Sequence, residues 1–76
     1  MIVKTISPVL GVEEFHYDFI QAYEFFKIFY VEEYGWDAEE FEEEYDFSTT
    51  LDEFEKNGYF ELCDGDKFIL TKGAMI

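Results

Sequence analysis

The sequence predicts a single α+β domain over residues 1–76, with three helices followed by a C-terminal β-hairpin and a short strand at the N-terminus. Three observations favour this fold class. The middle of the chain carries aromatic residues at helical spacing, the apolar period changes to two after Gly58, and 49% of the residues are hydrophobic. A chain of this length buries only about 60% of its unfolded surface, so we expect a dense aromatic core.

The first half of the chain predicts a strand and a long helix. Residues 2–6 alternate loosely, and Pro8 ends that strand because proline lacks a backbone donor. Over residues 12–34 apolar side chains recur at steps of three and four, which predicts an amphipathic helix of about six turns. Its predicted core stripe is Phe15, Phe19, Ala22, Phe26 and Phe29. His16 lies beside this stripe and is interpreted as a packed histidine.

Some apolar residues fall outside the core stripe. Phe25 and Ile28 lie on the polar side of the long helix, where they either pack against the N-terminal segment or form a contact patch. Tyr34 would extend such a patch. Trp36 follows Gly35 and is either a packing anchor or a binding hot spot.

The second half of the chain predicts two shorter helices and a hairpin. Gly35 ends the long helix and Asp37 caps the next helix, over residues 38–45. A third helix is predicted over residues 49–56 and ends at Gly58. Residues 59–63 and 67–71 then form strands around the turn Asp64-Gly65-Asp66. A three-residue loop is preferred because it places Phe60, Leu62, Phe68 and Leu70 on one face, with Glu61 and Lys67 outside.

The negative charge is concentrated in one stretch of the chain. The net charge is −14, and residues 28–55 hold twelve acidic residues and no basic one. Aromatic residues interrupt these acids at near-helical spacing, which favours the outer faces of folded helices over a disordered tail. Direct binding to nucleic acid or to an anionic membrane is disfavoured by this charge.

The end of the chain resembles winged helix-turn-helix domains. The resemblance covers about 26 residues and rests on a recognition-helix-like segment, a glycine-aromatic start of a wing and a closing Leu-Thr-x-Gly: Leu51, Phe54, Gly58, Tyr59, Phe60, Asp64, Gly65, Asp66, Leu70, Thr71, Lys72 and Gly73. It implies a DNA-reading fold. The segment in the recognition position carries Asp52, Glu53 and Glu55, however, and acids repel a phosphate-lined groove.

Other chemistry finds little support in the sequence. One Cys and one His cannot form a disulfide or a Cys/His zinc site, and no spacing singles out a catalytic carboxylate pair. We therefore expect no enzymatic activity, no cofactor and no metal. Cys63 is interpreted as a small apolar residue. The N-terminus does not resemble a signal peptide, and the predicted location is the cytoplasm.

The sequence-based hypothesis is an inhibitor that presents acids to the basic groove of a nucleic-acid-binding protein. In size and acidity the chain is similar to phage-encoded anti-CRISPR and anti-restriction proteins, which would act in the host cytoplasm. The predicted contact residues are Glu39, Glu40, Glu42, Glu43, Asp46, Asp52, Glu53 and Glu55. The alternative is a winged-helix interaction or scaffold module that binds a protein or a second copy through Phe25, Ile28, Tyr34 and Trp36.

Overall fold

The computed structural model describes residues 2–71, which form four strands and three helices. In chain order they are β1 (Ile2–Ser7), β2 (Val12–His16), α1 (Phe19–Tyr34), α2 (Ala38–Glu44), α3 (Phe47–Asn57), β3 (Tyr59–Glu61) and β4 (Lys67–Thr71). The strands form one antiparallel sheet in the order β2-β1-β4-β3. The predicted α+β class and the number of helices are confirmed.

The predicted arrangement of three helices followed by a hairpin is wrong. Two of the four strands precede the helices, and β1 pairs with both β2 and β4. Strands β3 and β4 pair with each other, but β4 lies in the interior of the sheet rather than in a free wing. Lys72 and Gly73, which belong to the winged-helix-like pattern, lie outside the described residues.

The predicted helix over residues 12–34 is also wrong in its first third. Asp18 has an extended backbone, and its Oδ1 accepts a hydrogen bond from the backbone N–H of Gln21 at 2.9 Å, so α1 begins at Phe19. The residues before this cap form β2, whose Phe15 lies opposite Lys4 of β1. Phe15 was predicted to be core but is 62% exposed. His16 lies at the end of β2, where its Nε2 is 3.0 Å from Thr5 Oγ1.

The predicted end of α1 and the predicted start of α2 are confirmed. Gly35 takes the left-handed conformation at φ 74°, which ends α1, and Asp37 and Glu40 form a capping box at the start of α2. Helix α3 begins two residues earlier than predicted because Asp46 caps it. Gly58 ends α3 at φ 81°. Short polar caps therefore set the starts of α2 and α3, and glycines set the ends of α1 and α3.

Strands β3 and β4 bury the predicted side chains, but the three-residue loop between them is shifted by one residue from the predicted loop, residues 64–66. Phe60 lies opposite Phe68, and Leu62 donates its N–H to the carbonyl of Asp66, so the loop is residues 63–65. Phe68 and Leu62 are buried while Glu61 is exposed, as the alternation requires. Asp66 was predicted to be a turn residue, but it lies directly before β4 and is fully buried.

The core lies between the three helices and one face of the sheet. Phe68 on β4 is 4.8 Å from the ring of Phe19 and 5.1 Å from that of Phe26. Phe54 on α3 and Val3 on β1 are also fully buried. Burying each such phenylalanine side chain stabilises the folded state by about 2 kcal/mol. This aromatic layer holds the helices on one side of the sheet and leaves the other side open.

Candidate functional site: an acidic helical surface

The eight acids predicted as contact residues are all exposed, and we call them the acidic helical surface: Glu39, Glu40, Glu42, Glu43, Asp46, Asp52, Glu53 and Glu55. They belong to α2, to α3 and to the two-residue link between these helices. Seven of them have no lysine nitrogen within 4.0 Å among residues 2–71, and only Glu42 is paired. The helices therefore present charge that this part of the fold leaves almost uncompensated.

Helix α2 is held firmly although five of its seven residues are glutamates. Its one large apolar side chain, Phe41, is fully buried and lies 5.3 Å from the ring of Tyr23 and 5.2 Å from that of Tyr30. At its start, the backbone N–H of Asp37 donates to Oε1 of Glu40 at 3.2 Å. One buried aromatic anchor and a capped end thus fix the direction in which the glutamates point.

Helix α3 carries the remaining acids on a similar anchor. Phe54 and Thr50 are buried, and the acids of this helix point to solvent. Asp46 has a structural role as well, because its Oδ2 accepts from both the N–H and the Oγ1 of Thr49 at 3.2 Å. Replacing Asp46 would therefore disturb the start of α3 in addition to removing charge.

A shallow cleft of about 290 Å³ lies where α1 meets α2 and the start of α3. It is lined by Tyr23, Glu24, Lys27, Glu42, Asp46 and Phe47. Tyr23 and Phe47 form an edge-to-face aromatic pair at 5.1 Å. The carboxylates of Glu42 and Glu24 lie 2.8 Å and 3.4 Å from Lys27 Nζ. The cleft therefore combines an aromatic wall with three carboxylates and one ammonium group.

The hydrogen bond from Lys27 to Glu42 raises the pKa of the lysine, with a smaller contribution from Glu24. This ion pair joins α1 to α2, so Glu42 serves the fold as well as the surface. Glu24 and Lys27 were not predicted to be site residues from the sequence. Their separation of three residues on one helix was the available signal, because side chains at that spacing are neighbours.

The four residues of the predicted apolar patch do not form one exposed surface. Ile28 is 54% exposed, but Phe25 is half-buried with its ring 5.1 Å from that of His16. Tyr34 is half-buried and donates to Oδ2 of Asp66. Trp36 stacks on Tyr45 with their ring centroids 6.0 Å apart. Three of the four side chains therefore pack against the core.

A buried polar cluster lies beneath β4. Oδ2 of Asp66 accepts hydrogen bonds from the hydroxyls of Tyr30 and Tyr34, whereas Oδ1 has no protein partner among the described residues. Tyr30 Oη also lies 3.3 Å from Cys63 Sγ. Burial of the phenol, the bonds to Cys63 and Asp66 and the adjacent carboxylate raise the pKa of Tyr30. Since Asp66 is fully enclosed, a substrate cannot reach it, and the cluster is structural.

Residues 2–71 contain no group of three or more His, Cys, Asp or Glu side chains placed to hold a metal ion. In the same range, no helix has the length and apolar character needed to cross a membrane. The chain matches no protein-family model, no curated protein and no solved structure. Function must therefore be inferred from the geometry and charge of this surface alone.

Proposed function

We propose that the protein is a small inhibitor that occupies the basic groove of a nucleic-acid-binding protein and excludes DNA or RNA from it. The observation that carries this proposal is the acidic helical surface, in which eight exposed carboxylates stand on two anchored helices and the link between them, and one carboxylate is paired with a lysine. A partner surface rich in Lys and Arg would supply the missing counter-charges.

The spacing of the acids supports an imitation of phosphates. Side chains three or four residues apart on a helix lie about 5–6 Å apart, so Glu39 and Glu43 form one pair of negative charges at that spacing. Each carboxylate that meets Lys or Arg forms a charge-assisted hydrogen bond. Because Phe41 and Phe54 already hold both helices, binding loses little conformational entropy.

Inhibitors of host defence are one class of such proteins. The chain resembles phage-encoded members of that class in size and acidity. The resemblance to winged-helix domains stays a prediction from the sequence, since two of the four strands precede the helices and β4 lies in the interior of the sheet. In either case the inhibitor would act by steric and electrostatic occlusion, with no chemical step.

A displacement assay tests the proposal. Labelled duplex DNA is bound to each of a panel of basic nucleases and other DNA-binding enzymes, and the protein is titrated in at two salt concentrations. We expect release of the DNA from at least one enzyme, with an affinity that falls steeply as salt rises. The protein alone should give no mobility shift with DNA, since its charge of −14 opposes contact. A shift at micromolar protein would contradict the proposal.

A matched pair of variants separates the surface from net charge. The test variant carries Glu39→Gln, Glu43→Gln and Glu53→Gln, which avoids the caps and the Lys27 ion pair. The control carries Glu14→Gln, Glu32→Gln and Glu61→Gln, which are exposed acids elsewhere. We expect about a hundredfold weaker binding for the test variant and less than about a threefold change for the control. Equal losses of affinity in both variants would mean that net charge alone causes the effect, and would exclude this surface as the contact.

A further inference from the structure

The shallow cleft between α1, α2 and the start of α3 is lined by aromatic surface as well as by charge. Tyr23 is buried, and its hydroxyl donates to the carbonyl of Tyr45 at 2.6 Å, which fixes the phenol in place. Phe47 is only half-buried, and its ring lies 5.6 Å from that of Phe19. Because Phe47 lines the cleft and keeps part of its surface exposed, it offers an anchored aromatic ring to a ligand.

The three carboxylates of the cleft each use one oxygen within the fold. Oε2 of Glu24 and Oε2 of Glu42 both lie against Lys27 Nζ, and Oδ2 of Asp46 accepts from Thr49. The second oxygen of each carboxylate accepts no hydrogen bond from any group of residues 2–71. The carboxylates are therefore held in position, and one oxygen of each is available to a partner.

The charges of the cleft converge although they come from three different elements. Burial is the main cause of the raised pKa of Tyr23, and the charges of Glu42, Asp46 and Glu24 add to it while Lys27 opposes it. All four charged groups thus act on the same phenol. Three carboxylates against one ammonium group leave the cleft with two negative charges, so its occupant should be a cation.

We propose that the cleft receives the side chain of an arginine from the basic protein that the acidic helical surface binds. The inference rests on the proposed function and names the group that the partner contributes. A guanidinium is planar, stacks on aromatic rings and carries five N–H donors in a rigid fork, so it can contact Phe47 and several carboxylate oxygens at once. A lysine ammonium is a compact and strongly hydrated charge, and it gains less from an aromatic ring.

The size and spacing of the cleft favour this occupant over other cations. The described residues include no group of acids placed closely enough to share a metal ion, whereas a flat guanidinium bridges oxygens that lie further apart. The volume of about 290 Å³ is at the lower end for ligand sites, which fits one inserted side chain better than a larger organic molecule. Glu42 and Asp46 also belong to the acidic helical surface, so further basic residues of the partner would meet the neighbouring acids.

An NMR titration of the isotope-labelled full chain tests the cleft with two matched probes. N-acetyl-arginine amide and N-acetyl-lysine amide carry the same single positive charge, so they differ only in the shape of the cation. We expect the arginine probe to shift the amide resonances of Tyr23, Lys27 and Phe47 with a Kd on the order of 1–10 mM. The lysine probe should bind at least about threefold more weakly. Shifts spread over all acidic residues, equal affinities of the two probes, or no shift at about 50 mM probe would overturn the proposal.

Variants of single residues locate the contact. Glu24→Gln removes an exposed carboxylate of the cleft and leaves the bond between Lys27 and Glu42, and Glu32→Gln removes an exposed acid of the same helix outside the cleft. We expect about threefold weaker arginine binding for Glu24→Gln and less than about a 1.5-fold change for Glu32→Gln. Equal losses in the two variants would overturn the proposal, because net charge alone would then cause the binding.

The aromatic contact has its own variant. Phe47→Leu keeps a large apolar side chain, and we expect it to remove the preference for arginine over lysine while the affinity for the lysine probe stays the same. Circular dichroism checks that it folds. A preference for arginine that survives in the folded variant would overturn the stacking contact. If this variant does not fold, the comparison of Glu24→Gln with Glu32→Gln decides the assignment.

The probe titration and the DNA displacement assay can fail separately. Arginine binding in the cleft, without displacement of DNA from any enzyme, would support the cleft as an arginine site and contradict the inhibitor function. Displacement of DNA without arginine binding in the cleft would leave the inhibitor function in place and overturn this inference. If both hold, Glu24→Gln should weaken displacement more than Glu32→Gln does.

Discussion

The hydroxyl of Tyr30 donates a 2.7 Å hydrogen bond to Oδ2 of Asp66, and both side chains are fully buried. The two residues are 36 positions apart in the chain, so this bond ties the last turns of α1 to the start of β4. Tyr34, one turn further along α1, donates to the same oxygen at 3.2 Å. A carboxylate enclosed by the fold thus relies on two phenols for its solvation.

Removing the shorter of these bonds should destabilise the protein more than removing the longer one. Tyr30→Phe leaves a buried carboxylate with one donor fewer, and we expect the free energy of unfolding to fall by about 2–3 kcal/mol. Tyr34→Phe affects a half-buried residue, so its loss should be about 1 kcal/mol. Urea unfolding of both variants measures the two losses. The opposite order would mean that Tyr34 is the main donor to Asp66.

Stability should fall at alkaline pH because of buried tyrosines. Burial raises the pKa values of Tyr23, Tyr30, Tyr34 and Tyr45 above the ordinary value of 10.0, so the folded state retains protons that the unfolded state releases. This contribution is complete below about pH 10 and is lost as the pH rises, by about 1.4 kcal/mol per pH unit for a buried residue such as Tyr30. Urea unfolding from about pH 8 to 11 checks the slope, which Tyr30→Phe should reduce. A stability that is constant over this range would contradict the burial of these phenols.

His16 should titrate below its ordinary pKa. Its half-buried ring loses hydration, which lowers the pKa from 6.5, and the charge of Glu14 partly opposes this shift. Its stabilising contribution is therefore present above about pH 6.5 and is lost as the pH falls towards the lowered pKa. Ring resonances in an NMR titration give the midpoint directly. Glu14→Gln should lower that midpoint further, and Phe25→Ala should raise it by exposing the ring.

Thermal stability should rise with monovalent salt. The acids of residues 28–55 repel one another, and screening relieves that repulsion, so we expect the melting temperature to increase between low and moderate salt. The variant with Glu39→Gln, Glu43→Gln and Glu53→Gln should be less sensitive to salt. It should also be slightly more stable, since like charges four residues apart cost a few tenths of a kcal/mol. A melting temperature that falls with salt would mean that attractive ion pairs outweigh the repulsion.

Local signals in the sequence determined the C-terminal ends of α1 and α3, the start of α2 and the exposed charge. Gly35 and Gly58 adopt the left-handed conformation that ends a helix, and Asp37 caps α2, as their positions predict. The alternation around Phe60 and Phe68 predicts which side of β3 and β4 is buried. These features depend on neighbours a few residues away, so the sequence is sufficient to predict them.

Only the tertiary structure decided what happens where two local patterns compete. Phe15 fits a helical stripe with Phe19, but Asp18 caps the helix between them and the preceding residues gain a partner in β1. That partner is itself placed by β4, more than sixty residues along the chain from β1, and no local period records such a pairing. The burial of Asp66 and the exposure of the sheet face that points away from the helices follow from the same pairing. A side chain points inward or outward only once the helices have packed on one side of the sheet.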